Sequence, residues 1–182
     1  MNLPRKLEVK VSHMRSAQAG FTLIELLISV TIITIITAGI VPAFSNYIRN
    51  QNLKQAQEQL KSDLRTVQNK ALTGALSDQT VGGSGSLMKY WVIKFVNDSN
   101  IYSYFIAAVN TTCPNIPPNN QGSGSFTSII KVQSSGGCLF FSVDDGGISG
   151  LSSPIVIGYS AEAKDERSVK FNPSGLIYSE ND

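Results

Sequence analysis

Residues 21–44 form an almost unbroken apolar run, opening on Phe21-Thr22-Leu23-Ile24-Glu25-Leu26-Leu27 and closing at Phe44. Hydrocarbon side chains are interrupted there only by hydroxyls, a few small residues and one carboxylate, Glu25. At about 1.5 Å per residue, a helix of about two dozen residues covers about 36 Å, enough to cross a bilayer core of about 30 Å with some tilt. No run of small residues with a cut site follows, so the pattern predicts a retained membrane helix rather than an ordinary removable signal core. Pro42 lacks a backbone donor and crowds the turn before it, so a kink or loosened turn is predicted around residues 38–42.

From Ser45 the chain turns polar but keeps a helical period. Leu53, Ala56, Leu60, Leu64, Val67 and Ala71 recur at spacings of three and four. That places them on one stripe, with Lys54, Gln55, Glu58, Lys61, Asp63 and Arg65 mostly elsewhere. The stripe is too short for a coiled-coil seam as its main role and predicts a helix laid against a small β domain, ending near Gly74. Residues 77–86, rich in glycine and serine, read as a flexible connection. Strand-like runs follow at 89–96, 101–109, 125–132, 138–143, 155–160, 168–171 and 175–178, with Asn97-Asp98-Ser99-Asn100 as a hairpin loop. The predicted fold class is α+β: a long N-terminal helix, membrane-spanning in its first half, packed on an antiparallel β head. That head, of roughly 100 residues, buries a core once the helix covers one face.

Charge then orients the segment. Residues 1–20 carry Arg5, Lys6, Lys10 and Arg15 against Glu8 alone. Basic residues of this kind stay on the cytoplasmic side, which puts everything after Phe44 outside. The chain has 15 Lys+Arg and 13 Asp+Glu; without the four and the one of residues 1–20, 11 and 12 remain, a net charge of −1. The sequence pI of 8.5 is therefore a property of the first 20 residues and gives no argument for a nucleic-acid partner.

A charged residue costs roughly 2.5–3.5 kcal/mol at the centre of a span and less near its end. Glu25 either lies close enough to the interface to stay wet or awaits a positive partner. A cut after Gly20 would supply one, because Phe21 would then carry a free α-amine one helical turn away, on the same chain or on a neighbour. Gly20-Phe21-Thr22-Leu23-Ile24-Glu25, behind a basic leader and before an apolar run, resembles the class III signal of type IV prepilins and pseudopilins. The resemblance implies that a prepilin peptidase removes residues 1–20 by cutting after Gly20 and methylates the amine of Phe21. It implies that Glu25 registers each subunit against its neighbour, and that a stretch at Pro42 melts as subunits pack, the alternative being a simple membrane-exit kink. The implied partners are other pilin subunits, an inner-membrane assembly platform and, before assembly, membrane lipid. The domains are then a leader at 1–20, an assembly helix at 21–44, a soluble amphipathic half at 45–77 and a head at 78–182.

Ser168 to Leu176, with its Asn172-Pro173-Ser174-Gly175 turn, and the helix stretch 60–71 resemble minor pilins and pseudopilins of the GspH and FimT type. Some FimT-like members bind DNA through basic residues after this turn glycine. Here Leu176, Ile177, Tyr178, Ser179 and Glu180 follow, which argues against a nucleic-acid partner. The alternatives to a pilus subunit are a type II secretion pseudopilin and a DNA-binding minor pilin in DNA uptake.

Candidate chemistry is sparse. His13, the only histidine, belongs to the leader, so no histidine triad or zinc site survives maturation, and no catalytic residue, metal site or cofactor is expected. Asp144-Asp145-Gly146-Gly147 lacks calcium-loop spacing and reads as a solvated turn. Gly82-Gly83-Ser84-Gly85 lacks the lysine of a phosphate loop. Cys113 and Cys138 read as a disulfide if the head lies outside, the alternative being two reduced, buried thiols. Between them Pro114, Pro117, Pro118 and a Gly-Ser repeat predict a long exposed excursion.

Overall fold

The structure, a computed structural model, describes residues 20–76, 78–81, 85–116, 120–151, 154–159 and 162–179, without the side chains of 41–43 and 162–164. The chain divides between Phe44 and Ser45 into two units. Helix α1 (Leu23–Leu72) supplies the first unit with its opening half and the second with its closing half. Residues 1–19 of the predicted leader, 1–20, lie outside the described residues, as does the side chain of Pro42, around which the helix is continuous.

In the first unit every large apolar side chain from Phe21 to Ile40 is exposed. Among the described residues α1 is the one helix long and apolar enough to cross a membrane.

The second unit is α+β. Its strands are β1 (Thr80–Val81), β2 (Ser86–Leu87), β3 (Tyr90–Phe95), β4 (Ile101–Ala107), β5 (Asn120–Ser125), β6 (Ile130–Val132), β7 (Gly137–Ser142), β8 (Ile148–Gly150), β9 (Ile155–Tyr159), β10 (Glu162–Phe171) and β11 (Ile177–Ser179). Five of them form a sheet in the order β5-β4-β3-β7-β8, four another in the order β11-β10-β9-β6, and β1 pairs with β2. All pairings are antiparallel. Backbone bonds join the two larger sheets: Asp98 N–H to the Val132 carbonyl at 2.9 Å, and Ile148 N–H to the Pro173 carbonyl at 3.0 Å.

The stripe read from the sequence is the helix's buried face: Leu53, Ala56, Leu60, Leu64, Val67 and Ala71 all enter the main core. There they meet Trp91, Ile93 and Phe95 of β3, Leu139 and Phe141 of β7, and Ile155 and Ile157 of β9. Polar side chains beside the stripe bond to strand carbonyls. Gln59 Nε2 donates to Ser125 at 3.1 Å, Gln57 Nε2 to Ser168 at 2.8 Å and Arg65 to Ile177 at 3.2 Å. The helix thereby ties β5, the edge of one sheet, to β10 and β11 at the edge of the other. It ends in a left-handed glycine cap: Gly74 has φ 62°, its N–H reaches the Ala71 carbonyl and Ala75 N–H reaches that of Lys70, both at 3.0 Å.

Three expectations change. The run 125–132 is not one strand. Its chain leaves the five-stranded sheet at Ser125, buries Phe126 against the Tyr102 ring, turns at 127–130 and enters the other sheet as β6. The Gly-Ser repeat within the predicted excursion is strand β5. Gly124 is a requirement of close packing, since a Cβ there would sit 2.3 Å from the Tyr102 ring. The connection 77–86 holds the short β1 and β2 pair.

Candidate functional site

Gly20 and Phe21 precede the helix and are exposed, so the peptide bond between them lies in irregular, accessible backbone. Among the described residues, no atom other than its chain neighbours comes within 4 Å of the place a Gly20 Cβ would occupy. Thr22 caps the helix: its Oγ1 accepts the Glu25 N–H at 3.3 Å and its carbonyl accepts the Leu26 N–H at 3.2 Å. Threonine followed three residues later by glutamate is the capping-box pattern, and an acidic side chain in the first turn is favoured by the partial positive charge of the helix start. The Thr22–Glu25 spacing is the signal of this cap in the sequence.

The hydroxyls along the same segment are satisfied internally. Ser29 donates to the Glu25 carbonyl, Thr34 to Val30 and Thr37 to Ile33, each at 2.7 Å, and Thr31 donates to Ile28 at 2.7 Å. An unpartnered hydroxyl in hydrocarbon is expensive, and with these bonds made Glu25 is the one charged residue of 21–44.

In the head, Cys113 and Cys138 are joined in a disulfide with their Cα atoms 5.4 Å apart. The Asn172–Gly175 turn has Gly175 at φ 93°, and Gln68 Nε2 of the helix donates to the Gly175 carbonyl at 2.8 Å. Asp145 closes its own turn: Oδ1 accepts the Gly147 N–H at 3.0 Å, and that bond, with one from Ser142, holds its carboxyl below the usual range. Among the described residues no group of three or more His, Cys, Asp or Glu is placed to hold a metal ion.

A second polar group joins helix and sheet. The Tyr102 hydroxyl donates to Asp63 Oδ2 at 2.5 Å. Burial, then this bond to a carboxylate, raises the Tyr102 pKa; burial and the Asp63 charge push that of Tyr104 up to about 12. Sequence reasoning assigned no role to Asp63, Tyr102, Gln57 or Gln68, because their partners lie far along the chain.

Residues 15–41 match the family model described as the prokaryotic N-terminal methylation motif. The match covers Gly20, Phe21, Glu25 and most of the exposed apolar helix, and it identifies a type IV pilin-like prepilin signal. Such a signal implies processing by a peptidase and assembly with other pilin subunits. Comparison with curated proteins and with solved structures gave no match.

Proposed function

We propose that this chain is the precursor of a minor pilin or pseudopilin of the GspH and FimT type, a structural subunit of a type IV pilus-like filament and not an enzyme. One observation carries the reading: the methylation-motif match at 15–41 falls on an accessible Gly20–Phe21 bond followed by a helix whose large apolar side chains from Leu23 to Ile40 are exposed. Prepilin peptidase cuts after Gly20 and methylates Phe21.

The mature chain then sits in the inner membrane through 21–44 with its head outside the cytoplasm. An assembly platform withdraws it from lipid, and exposed apolar helices bury one another in the filament. During this transfer Glu25 leaves the interface and meets the Phe21 amine of a neighbouring subunit. Pairing offsets the desolvation of both charges, whereas a buried charge deprived of its partner costs about 3–5 kcal/mol. A misregistered subunit is rejected on that difference. A turn loosened at Pro42 eases packing.

Mass spectrometry of the protein extracted from membranes tests the premise. The expected N-terminus is methylated Phe21; an intact leader, or a start at another residue, overturns it. Co-purification with pilus subunits or with type II secretion components separates those two settings. DNA uptake is the weaker reading, because no basic residue lies between Gly175 and Ser179.

A further inference from the structure

The five-stranded sheet carries apolar side chains on both faces. One face belongs to the main core. On the other, strand register aligns Phe105, Val92 and Phe140 in a row across β4, β3 and β7. Tyr90 and Ala107 pack against this row, and together with Cys138 they form a second, separate cluster. Phe105, Val92 and Phe140 are only 1%, 0% and 3% exposed. Residues on the outer face of a sheet reach such values only beneath a cover.

Residues 109–116, which follow β4, are fastened to this face. They form neither helix nor strand and are tied down at three places. Asn110 Nδ2 donates to Ser149 Oγ at 3.3 Å, Cys113 is bonded to Cys138, and Lys94 Nζ donates to the Pro114 carbonyl at 2.6 Å and the Asn115 carbonyl at 2.5 Å. Only the middle tie is covalent. Open cavities of about 440 and 350 Å³, both lined by Cys113, Gly136 and Gly137, flank it. Cys113 is exposed while Cys138 is buried.

We propose that residues 109–116 are the cover of this face and a redox-releasable strap: reduction of Cys113–Cys138 lifts the segment and uncovers the Phe105–Val92–Phe140 row while the main core, with Ala108, stays closed. The reductant is a dithiol. One of its thiolates attacks Cys113 Sγ from the open side, the Cys113–Cys138 bond breaks, and Cys138 leaves as a thiolate that takes a proton from water. The second thiolate then attacks the mixed disulfide and releases Cys113, which is protonated in turn. The protein gains two electrons and two protons, and the dithiol becomes a disulfide. With the covalent tie gone, a segment without ladder pairing is held by side-chain hydrogen bonds alone, against the entropy regained by its backbone.

Cys138 reports the state of the strap and Trp91, the only tryptophan, reports the main core. Full-length protein in detergent, as the Cys113→Ser variant, is treated with a polymer-linked maleimide while Trp91 emission is followed. Wild type with and without dithiothreitol runs in parallel, so the conclusion does not depend on one variant. The strap predicts that Cys138 labels within about tenfold of its rate in urea, with Trp91 emission unchanged, in the variant and in reduced wild type. Labelling slower than that means the segment stays down without its disulfide. A red shift of Trp91 that accompanies labelling means the head opens as one body. Either result overturns the proposal.

Discussion

At the scale of single residues, the proposed assembly role rests mostly on Glu25. In the isolated chain its position is explained by local chemistry, because the first turn of a helix accepts an acid readily and Thr22 completes the cap. Capping alone does not require a carboxylate inside an apolar segment. Replacing Glu25 by Ala separates the two roles. Cleavage after Gly20 is expected to remain close to wild type, because the scissile bond lies outside the helix, while incorporation into filaments falls at least about tenfold, in line with an unmatched buried charge. Immunoblots of membrane and sheared-filament fractions read both quantities. Normal incorporation would remove Glu25 from the mechanism.

At the scale of elements, the second half of α1 is held by two kinds of contact. Leucines and a valine fill the space between the sheets, and polar side chains at the margins fasten the helix to strand carbonyls and to the Tyr102 hydroxyl. The tyrosine tie has a pH signature. Unfolded tyrosines ionise near pH 10, whereas Tyr102 and Tyr104 hold their protons to higher pH in the fold. Above pH 10 the unfolded chain releases protons that the folded one retains, so stability is fully present below that pH and is lost as pH climbs through the folded values. Urea midpoints are therefore expected to be level from about pH 7 to 9.5 and to fall between about pH 10 and 12, with a shallower fall in Tyr104→Phe. A midpoint unchanged across the alkaline range would show that these hydroxyls are not held as the geometry implies.

For the whole molecule, the main core draws only on residues from Leu53 to Ile177. A chain beginning at Ser45 is thus expected to fold cooperatively, with its disulfide formed, and to melt in one transition followed by circular dichroism. A chain beginning at Ser77 loses the helix stripe and is expected to give no cooperative transition, since the sheets would then face water with their inner surfaces. Equal melting of the two fragments would show that the helix is an accessory to the head and not part of it.

The parts legible in the sequence were those governed by local period and local chemistry. The apolar run of 21–44, the stripe from Leu53 to Ala71, the glycine near the helix end and the bounds of β3, β4, β7 and β9 follow from side-chain spacing alone, because burial on one face imposes a period of 3.6 or of 2. The Gly20–Glu25 signal was equally plain, since its residues are adjacent in the chain. What composition could not convey was anything created by approach from far along the chain. Gly122 and Gly124 look like linker residues until tyrosines of β4 close over them, and Gln57 looks like a surface residue until Ser168 and Arg167 satisfy it in the core. The outer row of Phe105, Val92 and Phe140 exists only through strand register, and a disulfide and Lys94 fasten the segment after β4 to the same sheet. Period determines which face is apolar; only tertiary contact determines what comes to lie on it.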